Sequence, residues 1–255
     1  MNRLPQKKNS QHSEFGLMLF DRIIINAIML IGIMMISVAH AEPTKRASGM
    51  QRIELPQPKI DGNFSLEKAL SQRRSNRDFH PDPLTLAEIS QLLWAAQGIT
   101  STKGLRTTPS AGALYPLELY LVAANVSGLA VGVYRYLPHT HQLVAVTTGD
   151  QRRSLAAAAL GQGWLRKSAA IVVFAAVFKR TTVKYEKRGK QYVYIKTGHA
   201  AQNLALQATA LNLGAVTVGA FHDHSVKRFL HMKINEQPLY LMPLGRLAES
   251  RPNQD

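Results

Sequence analysis

Pro109-Ser110-Ala111-Gly112-Ala113-Leu114-Tyr115-Pro116 is the stretch on which the reading of this chain turns. It is small, turn-forming and closed at both ends by proline, a composition that suits a backbone lying close against a flat partner. A second run, Arg73-Arg74-Ser75-Asn76-Arg77, supplies guanidinium groups and a hydroxyl, the donors that grip a terminal phosphate. A helix continued over 66–77 would set Arg73 and Arg77 four residues apart with Arg74 between them, making a convergent positive pocket. Taken singly, each run also fits a plainer role, the arginines as a solvated answer to a helix C-terminus and Ser-Ala-Gly as a turn before a strand.

Working outward, a short helix over about 65–73 delivers the arginine run. The next helix is marked by Thr85 with Glu88 as a capping box, by Ile89, Leu92, Leu93 and Ala96 at helical spacing, and by Gly98 as its stop. Strands are predicted at 117–124, at 132–137 and 142–147 as a hairpin, at 215–221 and at 239–244. Residues 169–178 form a nearly unbroken apolar run, suited to a strand buried on both faces. Asp150 opens a helix through Leu160, a long helix spans about 198–213 and ends at Gly214, and a short one lies near 225–231. Helices mixed with a mostly antiparallel central sheet make the fold class α+β. The sequence has neither a G-x-G-x-x-G nor a P-loop, so it does not read as a doubly wound nucleotide fold.

The chain has 255 residues, 45% hydrophobic and 18% charged, an ordinary globular composition. Residues 23–38 are an apolar run, short for a membrane span, followed by Ala39-His40-Ala41, so residues 1–41 are expected to be a signal peptide, with translation from Met18 giving the more compact n-region. The alternative is an anchor over 23–38. Export to a periplasmic location is the expectation, with an extended arm over 42–63 and one domain over 64–255. Zero cysteines exclude thiol catalysis and disulfide frameworks. The formal charge is +15, and +13 without residues 1–41, but the basic residues are scattered, which argues against nucleic acid as a partner. His139, His141 and the His222-Asp223-His224 run do not complete a zinc-type ligand set, so no metal is expected.

The motifs together resemble the nitroreductase family, and within it the SagB-type branch that dehydrogenates thiazoline and oxazoline rings in peptides. The resemblance covers roughly 64–247 and extends to Gly198-His199-Ala200-Ala201-Gln202-Asn203-Leu204, Val218-Gly219-Ala220-Phe221 and Leu241-Met242-Pro243-Leu244-Gly245-Arg246, in the family's order. It implies a nitroreductase-like fold, a homodimer and bound flavin mononucleotide (FMN). It further implies that Arg73, Arg74, Ser75 and Arg77 hold the phosphate and ribityl chain, and that Pro109, Ser110, Ala111 and Gly112 lie along the flavin. Val218, Gly219 and Ala220 then pass the reactive face, and Arg246 returns to the phosphate.

Lys184 and Tyr185 match the catalytic Lys-Tyr pair of that branch, since oxidation of a C–C–N unit sends a hydride to flavin while a base removes a proton. Read without the resemblance, they belong to an exposed basic loop between the apolar strand and the Gly-His helix. One departure stands out: where this branch commonly carries an acidic residue before Gly-His, this chain has Lys196. The implied activity is an FMN-dependent oxidoreductase acting on a small or peptide-derived substrate. The alternatives are an NAD(P)H-dependent nitro or quinone reductase, which export disfavours, and an envelope flavin- or partner-binding protein without turnover.

Overall fold

Leu117–Ala123 (β4) and Ala170–Ala176 (β8) pair antiparallel through the middle of the molecule, and every residue of both strands is buried. Their side chains alternate between two cores, as the period of a strand requires. Leu119, Leu121, Val172 and Phe174 face one core, while Tyr120, Val122, Ile171 and Val173 face the other. The apolar run at 169–178 is therefore continuous because both its faces are covered. A computed structural model describes residues 51–248. The expected signal peptide, the Met18 start and the first part of the arm lie outside the described residues. Among the described residues, no helix is long and apolar enough to cross a membrane.

The remaining strands are β1 (Arg52–Glu54), β2 (Phe79–His80), β3 (Leu84–Thr85), β5 (Val126–Ser127), β6 (Gly132–Leu137), β7 (Gln142–Thr148), β9 (Leu213–Ala215) and β10 (Gln237–Leu247). The main sheet runs β1-β7-β6-β4-β8-β10-β2, with β9 also on β10, and its pairs are antiparallel; β3 and β5 form a small parallel pair. The expected hairpin is β6–β7. Part of the arm is not free, since Arg52–Glu54 pairs with β7.

The helices are α1 (Leu66–Gln72), α2 (Leu86–Gln97), α3 (Arg152–Ala158), α4 (Trp164–Lys167), α5 (Lys179–Ala210) and α6 (Asp223–Phe229). Helix α2 starts at the expected capping box, Thr85 Oγ1 accepting from Glu88 N while Glu88 Oε2 accepts from Thr85 N. Asp150 accepts from Arg152 N at 2.9 Å and so orders the start of α3, although the cap position itself is Gln151. Helices α2 and α5 cover one face of the sheet; α3, α4 and α6 cover the other.

Three expectations are corrected. The basic stretch 179–189 is not a loop: α5 runs over Lys179–Ala210 as two helices that meet at Glu186, whose φ of 47° and ψ of −132° are non-helical. Its core-facing positions include Gly189, Lys196 and Thr197 beside Val193, Ala200, Ala201 and Leu204, so an apolar-periodicity reading detects only the C-terminal half. Residues 73–77 are not helical either. Helix α1 stops at Gln72, Arg73 takes φ −57° and ψ 124°, and Asn76 N donates to Ala215 O, which ties the run to β9. Finally, the strand expected at 215–221 is shorter, because the chain leaves β9 at Ala215 and touches the sheet again only where Val218 bridges Leu241.

Candidate active site

The end of α1 decides where the arginines point. In an extended segment alternate side chains diverge, so Arg73 and Ser75 reach one cavity while Arg74 turns back. That cavity, of about 200 Å³, is walled by Gly198, Gln202, Thr217 and Tyr240 among others. Arg74 donates instead to Ser71 O and Arg73 O, answering the carbonyls at the helix end. The Arg77 guanidinium lies 5.6 Å from the Trp164 ring centre. Arg246 makes a bidentate pair with Glu88, at 2.5 and 2.9 Å. Of the residues expected to grip a phosphate, the structure brings Arg73 and Ser75 together and directs Arg74, Arg77 and Arg246 elsewhere. Burial pushes the Glu88 carboxyl up, but the hydrogen bonds from Arg246 and Thr85 outweigh it and hold it below its ordinary value.

The stretch 109–116 is a strained turn. Ala111–Ala113 forms a short 3-10 helix in which Gly112 has φ +59°, and Ala113 (53°) and Tyr115 (41°) are also left-handed. Ser110 Oγ accepts from Tyr115 N at 3.0 Å and closes the turn. A Cβ built on Gly112 would stand 2.9 Å from Tyr185 Oη and 3.3 Å from Lys184 Nζ. Two motifs 72 residues apart in sequence thus meet, the glycine wall on one side and the Lys-Tyr pair on the other. The break in α5 follows the pair at once, and Gly189 lets the short N-terminal helix fold back: a Cβ there would stand 2.9 Å from Thr182 Cα. Tyr185 is further positioned edge-on to Tyr192, with ring centres 5.1 Å apart.

Below this turn the chain is fastened from two helices. Thr107 and Thr108 donate through Oγ1 to Trp94 O and Ala96 O in α2. Asn203 Nδ2 of α5 donates to Thr107 O and Thr108 Oγ1. Lys196, 2% exposed, directs Nζ to Thr108 O at 3.3 Å and Pro109 O at 3.4 Å, and no carboxylate among the described residues pairs with it. Burial, with help from the nearby Arg106 charge, pulls its amine down to about 7. Val218 is locked to Leu241, whereas Gly219 and Ala220 are exposed, with Gln162 Nε2 donating to Ala220 O.

Residues 70–246 match the nitroreductase family profile. The chain belongs to the nitroreductase family. A nitroreductase-family protein of Methanocaldococcus jannaschii is 44% identical over 197 residues, which is 77% of this chain and 98% of that one. A nitroreductase-family structure from Ralstonia eutropha, 28% identical, superimposes with a TM-score of 0.69 over 78% of this chain and 90% of its own. McbC, the microcin B17-processing protein of Escherichia coli, is 29% identical over 132 residues, half of this chain and 48% of that protein. This nitroreductase-family chain is therefore an oxidoreductase with a relative of the SagB-type branch, and its α+β architecture is that of the family.

The sequence did not single out Arg106, Glu118, Arg135 and Arg180 of this chain. Glu118 is 8% exposed and accepts from Arg135 at 2.7 and 3.0 Å and from Arg180 at 2.5 Å. The signal was available: Glu118 is the lone carboxylate in an otherwise apolar strand, and such a residue needs a partner.

Proposed function

We propose that this protein is an FMN-dependent dehydrogenase of the SagB type, acting on a small or peptide-derived substrate. The observation that carries the reading is the meeting of Gly112 with Lys184 Nζ and Tyr185 Oη. The residues present fit the cofactor. Gly112 lets Tyr185 Oη and Lys184 Nζ approach the backbone where a Cβ would stand, and the cavity at Arg73 and Ser75 offers a guanidinium and a hydroxyl to a phosphate. Gly198, inside a helix where it costs roughly 0.5–1 kcal/mol against alanine, leaves open space beside that cavity.

Bound flavin supplies an electrophilic nitrogen that takes up a hydride. The chain does the rest. Arg73 and Ser75 would hold the phosphate end, and the turn at 109–112 with Gly219 would offer backbone to the ring. Lys184 Nζ and Tyr185 Oη, side by side at Gly112, would serve the removal of a substrate C–H or N–H proton, one of them taking the proton while the other orients it. The cavity of about 200 Å³ is smaller than the roughly 300–1,000 Å³ of a self-contained ligand pocket. A second copy of the chain completes the wall in this reading, docking on the exposed Leu66 and Leu70 of α1 and Ile195 of α5.

The test is an absorbance spectrum of the purified protein, chromatography of the released cofactor, and turnover of Lys184→Ala and Tyr185→Phe. A flavin spectrum, released FMN and loss of turnover with flavin content kept are expected. Colourless protein that fails to bind added FMN, or unchanged turnover in both variants, refutes the assignment.

A further inference from the structure

On the far side of Tyr115 from its own turn lies a second and larger cavity, of about 480 Å³, that the cofactor reading does not use. Its polar wall is Arg106, Arg135 and Arg180 with the single carboxylate of Glu118, and its apolar wall includes Leu114, Tyr136 and Pro138. The charges do not balance. Arg135 and Arg180 both pair with Glu118, whereas Arg106 feels that carboxylate only at longer range and, among the described residues, makes no ion pair of its own: its Nη1 donates to the neutral Gln97 Oε1 at 3.0 Å. The Arg106 guanidinium sits 4.5 Å from the Tyr115 ring centre, and Lys196 Nζ lies 5.2 Å from the same centre. A half-buried guanidinium is costly while its charge is uncompensated, and an anion in the cavity that Arg106 lines would offset that cost.

We propose that this cavity is a subsite for the carboxylate of an organic substrate, with Arg106 as its principal ligand. A planar guanidinium matches a carboxylate in two-point geometry, and the apolar wall beside it suits the carbon body of an acid better than inorganic phosphate. The subsite adjoins the candidate reaction centre through two connections. Arg180 stands one helical turn before Lys184 and donates to Tyr115 O at 3.0 Å. Leu114 and Tyr115 belong to the turn that carries Gly112. The inference rests on the proposed function in one respect, that the molecule whose carboxylate is held here is the one oxidised beside Lys184 and Tyr185. It narrows the substrate class to molecules with a free carboxylate, such as a small organic acid or a peptide C-terminus.

Isothermal calorimetry on the purified full chain tests this without turnover, and the spectrum described above tests the cofactor reading separately. The ligands are benzoate, N-acetyl-Phe-Gly as its acid and as its C-terminal amide, and inorganic phosphate. The peptide acid is expected to bind at least about tenfold more tightly than the amide, and Arg106→Gln to remove that difference. Tighter binding of the peptide acid than of benzoate would mark a peptide C-terminus as the source, and the reverse a small acid; either supports the subsite. Equal affinity of acid and amide, phosphate binding as tightly as the acids, or no binding up to about 10 mM overturns it. So does an unchanged acid preference in Arg106→Gln. Should that variant fail to fold by circular dichroism, Arg106→Lys, which keeps the charge and loses the two-point geometry, is expected to reduce the acid preference, and an unchanged preference in it overturns the subsite as well.

Discussion

Replacing Lys196 by methionine should stabilise the protein at pH 6 and abolish a pH dependence that the wild type shows. The amine is about 7 in the folded chain against an ordinary 10.5, because burial and the Arg106 charge both disfavour its protonated form. Below pH 7 the residue is charged in both states and the folded state carries the penalty. Between pH 7 and 10.5 the unfolded chain holds a proton that the folded chain has released. Stability therefore rises with pH in that window, by at most about 1.4 kcal/mol per unit. The interval sets a ceiling of about 5 kcal/mol, part of which the two long carbonyl contacts return. Methionine keeps most of the stem volume, and Asn203, Trp94 and Ala96 still fasten residues 107–108. Lys196→Met is thus expected to be about 2–4 kcal/mol more stable than wild type at pH 6, the gap closing toward pH 10. Urea unfolding at each pH, compared as the difference between the two proteins, isolates this residue from every other titration. A difference that stays flat from pH 7 to 10, or a variant less stable at pH 6, would refute the reasoning.

Three further substitutions probe the geometry. Gly189→Ala puts a Cβ against Thr182 backbone at 2.9 Å, and should cost about 1–3 kcal/mol in chemical denaturation while reducing turnover by moving Lys184 and Tyr185; a variant with normal turnover would show that the fold-back does not matter. Gly112→Ala, at φ +59°, should lose about 1 kcal/mol of stability and displace Tyr185 Oη, read as a larger fall in turnover than in flavin content. Arg246→Ala should cost about 1–3 kcal/mol near neutral pH yet leave bound flavin unchanged, because Glu88 holds the guanidinium. The Glu88 carboxyl is depressed when folded, so its contribution is present above its ordinary value of 4.5 and lost as pH falls through the folded one. Acid unfolding curves of wild type and Arg246→Ala should accordingly converge at low pH.

The sheet and α2 were legible because their signals are local: a capping box, an apolar run long enough to be buried twice, a hairpin with its turn residues. The N-terminal half of α5 was not, because its inward positions carry glycine, lysine and threonine, and a pattern that counts only apolar residues stops where those begin. The candidate site was legible as an inventory and misread as a geometry. The Arg73–Arg77 run was taken as a helical cluster, yet a single non-helical residue at Arg73 sends its side chains to different partners. Arg246 is expected at the phosphate by the family resemblance, and nothing in its neighbourhood in sequence announces Glu88, 158 positions away. The contact between Gly112 and the Lys-Tyr pair depends on a backbone break at Glu186 that no propensity encodes.

The charge of the chain separates into two kinds with different meanings. Most of the formal +15 is surface lysine and arginine, which water screens and which costs the fold little. Lys196 and Arg106 are different: both lie beneath the turn that carries Gly112, both approach Tyr115, and neither has a carboxylate among the described residues. Stability alone would favour apolar side chains at both positions, as the Lys196→Met expectation makes quantitative. Glu118 shows the contrast, because Arg135 and Arg180 both have its carboxylate as an ion-pair partner. Arg106 keeps its charge without such a partner and lines the cavity beside Tyr115, the arrangement expected where the missing anion arrives with the substrate.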